Sequence, residues 1–472
     1  MNAAPAAVSP PADASIAARL DRLPATRYVW WLVVLLSFGA FFEIYDLALS
    51  APLSLALLAA GIFHRGSAGL FGLTDQATFL AATFAGLYVG VIGFSAVADR
   101  FGRRPIFTFA LVWYAVATVV MGLQTTAIAV DLWRFVASVG VGLELVAIDC
   151  YLAELAPKTI RGRAFAVSAS IQFLSAPVVA LLAWLLVPHA LFGVAGWRWL
   201  AFVPGVGALM VWWVRRALPE SPRWLAAHGR GAEADRVLRE IEARVAREFG
   251  RPLPDVGVAP PSPAPEHAGF GLMWRPPYRR RTVVLIIFHI FQTVGFFGFS
   301  NWLPTLLVSQ GVTLTRTLAY GLVLALVPPT APLAFALIAD RMERKWLIVA
   351  GALTAAAFGL LLATMTQHSN FVVYTLIGAA AAVGNSLMSL AYHTYQSELF
   401  PTPIRARAVG FVYSFSRLSA IFSSFLIAAI LDRTGSGGVF ALIAGSMVVV
   451  ALTIGLFGPR TSGCSLEEIS GR

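Results

Sequence analysis

Glu154-Leu-Ala-Pro157-Lys-Thr-Ile-Arg161-Gly-Arg163 returns later in the chain as Glu398-Leu-Phe-Pro401-Thr-Pro-Ile-Arg405-Ala-Arg407. Glu, Pro and both Arg recur at a single offset of 244 positions. A second pair, Asp99-Arg100-Phe-Gly-Arg103-Arg104 and Asp340-Arg341-Met-Glu-Arg344-Lys345, is offset by 241. A period of half a chain in so apolar a sequence implies duplication. Two six-helix halves around one central site are what such duplications commonly give.

Hydrophobic residues make up 58% of the sequence and charged residues 12%, about half the charge of a soluble domain. No single aqueous core hides that much apolar surface, so the bilayer is the expected solvent. A span needs about 20 residues. Twelve stretches qualify: 28–59, 77–98, 105–127, 130–155, 163–187, 196–216, 282–309, 316–340, 346–366, 370–398, 405–430 and 437–458. The expected fold is therefore all-α, twelve transmembrane helices in two pseudo-symmetric six-helix bundles.

The net charge of +11 invites a nucleic-acid reading, and its distribution removes it. With the N-terminus in the cytosol, every Lys and Arg falls on the cytoplasmic side except six. Arg65, Arg198, Arg316 and Arg433 lie outside, and Arg134 and Arg417 lie within spans. This positive-inside bias puts both termini in the cytoplasm. Cys150 and Cys464 offer no structural disulfide, no cleavable signal precedes the first span, and no Asn-x-Ser/Thr sequon occurs, which fits a bacterial inner membrane.

The organisation expected is an N-tail (1–27), a six-helix bundle (28–216), a cytoplasmic linker (217–281), a second bundle (282–458) and a C-tail (459–472). Within the linker, Val237, Leu238, Ile241 and Val245 recur at helical spacing among Arg and Glu. That pattern predicts an amphipathic helix lying on the membrane surface. Six prolines between 252 and 265 predict a semi-extended connector after it.

Three motifs in order, Asp99-Arg-x-Gly-Arg-Arg104, Tyr151-Leu-Ala-Glu154-Leu-Ala-Pro157 with Arg161-Gly-Arg163, and Pro219-Glu-Ser-Pro-Arg-Trp-Leu225, carry a resemblance. The chain resembles the major facilitator superfamily over residues 28–460, nearest its sugar-porter and organic-acid/proton symporter branch. Ser95 stands where the first loop motif usually has Gly, and Glu343 replaces the Gly of the second-half copy. The resemblance implies alternating access. Asp99, Arg100, Arg103, Arg104, Glu154, Arg161 and Arg163, with Asp340, Arg341, Arg344, Glu398, Arg405 and Arg407, would close the cytoplasmic side. Enforcement of topology is the plainer reading of the bases, but acids add nothing to a positive-inside signal.

Charge inside a span costs at least about 2.5 kcal/mol at the bilayer centre, so each instance needs a reason. Asp46 stands 19 residues beyond Arg27, and Arg134 stands 20 before Glu154. At about 1.5 Å per residue both reach roughly 30 Å from the cytoplasmic edge, so a salt bridge is geometrically allowed. In proton-coupled sugar porters the acid of a Tyr45-Asp46 pair resembles the proton carrier, with Arg134 of Arg134…Ser138-x-Gly140-x-Gly142 as its partner. A permanent structural bridge is the alternative. Glu144, about 15 Å deep, is a second candidate carrier or a buried helix–helix contact. Glu43 is placed to line the same cavity, and Asp149 and His393 are read as residues of its mouth.

Arg417 is the clue to substrate. It lies 10 residues past Arg407 with no acid at comparable depth in the seventh to eleventh spans. A buried cation needs an anion, supplied by a carboxylate substrate or, alternatively, by Glu144 across the halves. The Ser416-Arg417-Leu-Ser-Ala-Ile421 context also resembles the aromatic-acid and niacin-type symporters. Gln172, His289, Gln292, Asn385 and Tyr392 complete a candidate pocket, though such residues equally serve as helix glue. Pro304 in Asn301-Trp-Leu-Pro304 suits an unwound gate. Hexose carriers have a Gln-Gln-x-Ser-Gly run that is missing from the seventh span. No metal-ligand spacing, phosphate loop or nucleophile–base set occurs, so no metal, cofactor, nucleic acid or enzyme activity is expected. The expected ligands are a small molecule and protons, handled by a monomer in lipid. A sugar or polyol carrier and a transporter-like nutrient sensor are the rival readings.

Overall fold

The computed structural model describes residues 12–64, 74–157, 159–256, 270–336, 342–364, 370–400 and 404–461. Among the described residues the helices group into twelve spans. In the first half they are α2 (Arg27–Ala59), α3 (Asp75–Phe101), α4 (Arg103–Gly122), α5 (Ala127–Leu155), the broken pair α6 (Arg161–Phe173) and α7 (Ser175–Leu186), and α8 (Gly196–Ala217). In the second half they are α11 (Tyr278–Ser309), the broken pair α12 (Leu314–Ala325) and α13 (Val327–Ala336), α14 (Arg344–Ala363), α15 (Phe371–Glu398) and α16 (Arg405–Leu452). Gly435, at φ +73°, divides α16 into the last two spans, and a π-turn (Thr453–Phe457) extends the second of them.

Between the halves lie α9 (Pro222–Ala227) and α10 (Gly231–Phe249), preceded in sequence by the tail helix α1 (Ala12–Asp21). The side carrying α9 and α10 is called the linker side below. A two-residue-per-strand hairpin, β1 (Ala190–Leu191) with β2 (Val194–Ala195), lies on the far side.

Small residues decide how closely the spans approach. A Cβ on Gly86 would meet the Phe135 carbonyl, and one on Gly90 would stand 2.9 Å from Gly142 Cα. The second half repeats the device, a Cβ on either Gly351 or Gly384 standing 2.7 Å from the other's carbonyl oxygen. Lipid offers no hydrophobic drive for helix association, so close packing of backbones supplies it instead.

The halves share one core on the far side, where Tyr45, Leu49 and Leu53 of α2 join Phe299, Trp302 and Leu306 of α11. On the linker side the cores are separate. Leu36, Phe107 and Tyr151 belong to the first, and Phe288, Leu347 and Tyr395 to the second. Gln76 Nε2 donates across the far side to Thr305 Oγ1 at 2.5 Å, and the Phe84 and Phe297 rings meet edge-on at 4.7 Å. Among the described residues the two halves are thus held together on the far side.

Two expectations are corrected. The apolar face of α10 does not lie on the membrane: Leu238, Ile241 and Val245 are buried against Ile16, Leu20 and Leu23 of the tail, with Trp224 and Val29. Each such burial is worth about 2 kcal/mol. Arg19 adds pairs to Asp235 and Glu242 at 2.6 Å, and Arg22 reaches Glu242 at 2.7 Å. The tail is thus a docked helix over residues 12–21. The second correction is Pro304, which sits inside a continuous α11. It cannot donate to Ser300, and both residues line a cavity between the halves, so the helix absorbs the lost bond without unwinding.

Candidate functional site

Asp46 and Arg134 meet, both fully buried. Arg134 Nη1 donates to Asp46 Oδ2 at 2.8 Å, Nη2 to the Asp46 carbonyl at 2.8 Å and to Ser50 Oγ at 2.7 Å, and Nε to Thr83 Oγ1 at 2.9 Å. Thr118 donates to Asp46 Oδ1 at 3.0 Å, and the guanidinium lies over the Phe79 ring. Four spans therefore converge on one ion pair. The Ser138-x-Gly140-x-Gly142 run makes this possible, because Ser138 and Gly142 let α3 in and Gly140 lets Tyr114 of α4 in. Sequence reasoning missed Ser50, Thr83 and Thr118; lone hydroxyls in spans usually bond their own helix.

Glu144 presents the opposite case. It is fully buried, and neither carboxyl oxygen has a hydrogen-bond partner. Tyr114 Oη is likewise buried without one. Glu144 Oε1 lies 3.0 Å from where a Cβ on Gly39 would stand, and Glu43 on α2 is an electrostatic neighbour. Pairing of Glu144 with Arg417 does not occur in this structure.

Arg417 is 8% exposed. Its Nη2 donates to Tyr413 Oη at 3.2 Å, its guanidinium sits 5.2 Å from the centre of the same ring, and no acid among the described residues pairs with it. His289 and His393 also face Tyr413, at ring separations of 5.4 and 6.3 Å, and Tyr392 stacks on His393 at 4.2 Å. His289 Nε2 donates to Gln396 Oε1 at 3.0 Å, leaving Nδ1 buried without a partner. Tyr413 and Gln396 were not singled out from sequence. Tyr413 stands one turn before Arg417, and that spacing was the available signal.

The remaining pocket candidates do not gather around Arg417. Asn385 lines the cavity between the halves, about 230 Å³, with Ala51, Val179, Phe296, Phe299 and Thr317 among the other walls. The acceptor oxygens Asn385 Oδ1 and Thr317 Oγ1 are buried without partners. Arg417, His289 and Tyr392 are not in that lining. Gln172 donates to Ser168 of its own helix at 3.2 Å, and Gln292 accepts from neighbouring Thr293 at 3.5 Å.

On the linker side the charged loop pairs among the described residues lie within each half. Arg103 reaches Glu154 at 3.1 Å, and Arg344 reaches Glu398 at 3.1 Å. Tyr151 donates to the Pro219 carbonyl and Tyr395, 244 positions on, to that of Pro459, 240 positions on, a further repeat. Glu220 accepts from the Arg103 and Arg104 amides at 3.0 and 3.3 Å across Gly102, whose φ is +102°. Glu343, the residue in place of the second-half Gly, instead accepts from the Thr461 amide at 2.9 Å. Arg163 and Arg407 are exposed. The side chains of Asp99, Arg100, Asp149, Arg161 and Arg405, and Asp340 and Arg341 entirely, lie outside the described residues.

A duplicated six-helix bundle with charged loops repeated between the spans and ionised groups buried in them defines a membrane transporter of the major facilitator type. The Sugar (and other) transporter family profile matches residues 32–471, and the chain belongs to that family. It is 31% identical to the putative metabolite transport protein YyaJ of Bacillus subtilis (strain 168), covering 94% of this chain and 95% of the relative. It is 25% identical to the niacin transporter NiaP of Acinetobacter baylyi, covering 96% and 99%. Its fold matches the inward-open xylose transporter XylE from E. coli with a TM-score of 0.74 at 21% identity, covering 94% and 99%. The chain is a multi-pass membrane transporter and not an enzyme.

Proposed function

We propose that the protein is a proton-coupled symporter of a small organic acid, working by alternating access as a monomer in a bacterial inner membrane with both termini inside. The observation that carries the substrate class is Arg417, a nearly buried guanidinium answered among the described residues by one phenol. A carboxylate would supply the bidentate partner it lacks, with the Tyr413, Tyr392 and His289 rings around it. The niacin transporter among its relatives favours the same class. The xylose transporter fold favours the sugar reading, but the cavity between the halves is walled mainly by Ala, Val, Leu and Phe. A sugar needs a hydrogen-bond partner for most of its hydroxyls.

Coupling resides in the first half. Asp46 is fully occupied by Arg134, whereas a charged Glu144 would stand in a dry site beside Glu43, with the Tyr114 hydroxyl close by and no cation paired to it among the described residues. Glu144 therefore fits the group that carries the proton, and Asp46 the fixed counter-ion. The test is uptake in proteoliposomes. Arg417→Ala is expected to abolish organic-acid uptake while still reaching the membrane, and Arg417→Lys to rescue little, since an ammonium lacks the planar fork. Wild-type affinity in Arg417→Ala would overturn the organic-acid reading in favour of the sugar one.

A further inference from the structure

The internal repeat exposes a difference between the two halves on the linker side. In the first half, the opening turn of α2 is answered by acids from the linker. Glu248 Oε2 accepts from the Tyr28 amide at 2.8 Å, and Glu220, Glu233 and Glu240 share a hollow with Arg104, Arg236 and Arg244. The equivalent opening turn in the second half belongs to α11. It contains Arg279, Arg280 and Arg281, no acidic residue and no side-chain cap. No helix corresponding to α10 follows the last span among the described residues, and Arg460 stands where Glu220 stands in the first half.

A hollow of about 400 Å³ opens at this point, walled by Pro277, Arg279, Arg280, Arg281, Phe457 and Pro459. Arg280 lies over the Phe457 ring, and Lys345, whose Nζ is held by the Gly458 carbonyl at 2.8 Å, has Arg280 and Arg460 as electrostatic neighbours. Arg279, Arg280 and Arg460 form no ion pair among the described residues. Among the described residues the nearby acids are Glu343, engaged by the Thr461 amide, and Glu398, paired with Arg344. Like charges at the positive end of a helix dipole repel unless an anion joins them. Leu456, Phe457, Trp274 and Trp346 are exposed around the hollow, the apolar and indole fringe of a headgroup zone.

We infer that this hollow binds the phosphate of an anionic phospholipid from the leaflet on the linker side, which fills for the second half the place the acids of α10 and the linker fill for the first. The positive-inside bias makes that leaflet the cytoplasmic one, where anionic lipid meets basic pockets between spans. The proposal does not depend on the substrate reading.

The test is lipid binding by the full chain in nanodiscs of phosphatidylcholine alone or with phosphatidylglycerol, read as the shift in melting temperature across a lipid titration. Phosphatidylglycerol is expected to raise the melting temperature of the wild type. Arg279→Gln/Arg280→Gln should weaken the apparent lipid affinity about thirtyfold, at roughly a factor of five per charge. Arg236→Gln/Arg239→Gln removes the same charge from the exposed face of α10 and should leave the lipid response intact. An equal loss in both double variants would show generic surface attraction and overturn the site. So would inorganic phosphate reproducing the wild-type shift in phosphatidylcholine alone, because the ligand would then be a soluble anion.

Discussion

Replacing Arg134 by Met leaves the Asp46 carboxylate at zero exposure with the Thr118 hydroxyl as its remaining side-chain donor. Removing one partner from a buried pair costs about 3–5 kcal/mol, chiefly because the survivor is an uncompensated charge. At 1.4 kcal/mol per decade, the unfolding equilibrium moves by roughly two to three and a half decades. Removing both charges, as Asp46→Leu/Arg134→Met, deletes that penalty. Of the hydroxyls left behind, Thr83 already donates to the Phe79 carbonyl of its own helix at 2.9 Å, and Ser50 and Thr118 can turn to carbonyls of theirs. The double variant should therefore recover at least about 2 kcal/mol relative to the sum of the two single changes. Reversible denaturant unfolding in detergent, followed by circular dichroism, measures all four corners of the cycle. Strict additivity would refute the reasoning, since it would mean that neither charge depends on the other.

Glu144→Gln should abolish accumulation driven by a pH gradient yet keep exchange of labelled for unlabelled substrate. Concentrative uptake surviving in that variant would return the proton to Asp46 or elsewhere. Docking of α1 should fail in acid: burial alone would raise the Glu242 carboxyl, but hydrogen bonds from Arg19 and Arg22 outweigh it and hold it below its ordinary value. A group depressed in the folded state contributes stability above its unfolded pKa, about 4.3, and loses it as pH falls through the folded value. Hydrogen exchange over residues 12–21 should thus stay slow at neutral pH and accelerate only below pH of about 4, an onset near neutrality being incompatible with this origin. Gly102→Ala should cost roughly 1–3 kcal/mol, because φ is +102° there and the new Cβ would stand 2.8 Å from Glu220 Oε2. An unchanged melting temperature for that variant would rule the contact out as a source of stability.

Much of this architecture was legible because the bilayer imposes a simple rule on sequence. A span must be apolar for about 20 residues, so hydropathy marks its limits, and the 244-residue offset doubles the signal. The Asp46–Arg134 contact was legible from depth alone, since a helix converts residue count into distance. The docked tail was not, although Ile16, Leu20 and Leu23 recur at helical spacing. Its Ala/Pro-rich surroundings mask the pattern, and the complementary face is more than 200 residues away. The grouping of pocket candidates failed for a related reason. Depth places His289 and Asn385 near the membrane centre but does not say which azimuth each helix turns toward the cavity.

The pairs Arg103–Glu154 and Arg344–Glu398 each begin and end inside one half, as do the phenol bonds of Tyr151 and Tyr395. A contact that rides with a rigid body is present whichever way the body tilts, so it has no leverage on the balance between tilts. Weakening these pairs would soften the halves without choosing between orientations. Gln76 to Thr305 is different, because it exists only while the far side is shut. One neutral hydrogen bond of about 1 kcal/mol changes a two-state ratio roughly fivefold. In this structure the two described loop pairs thus stiffen each half from within, and a hydrogen bond that spans the halves comes from an uncharged glutamine at the rim.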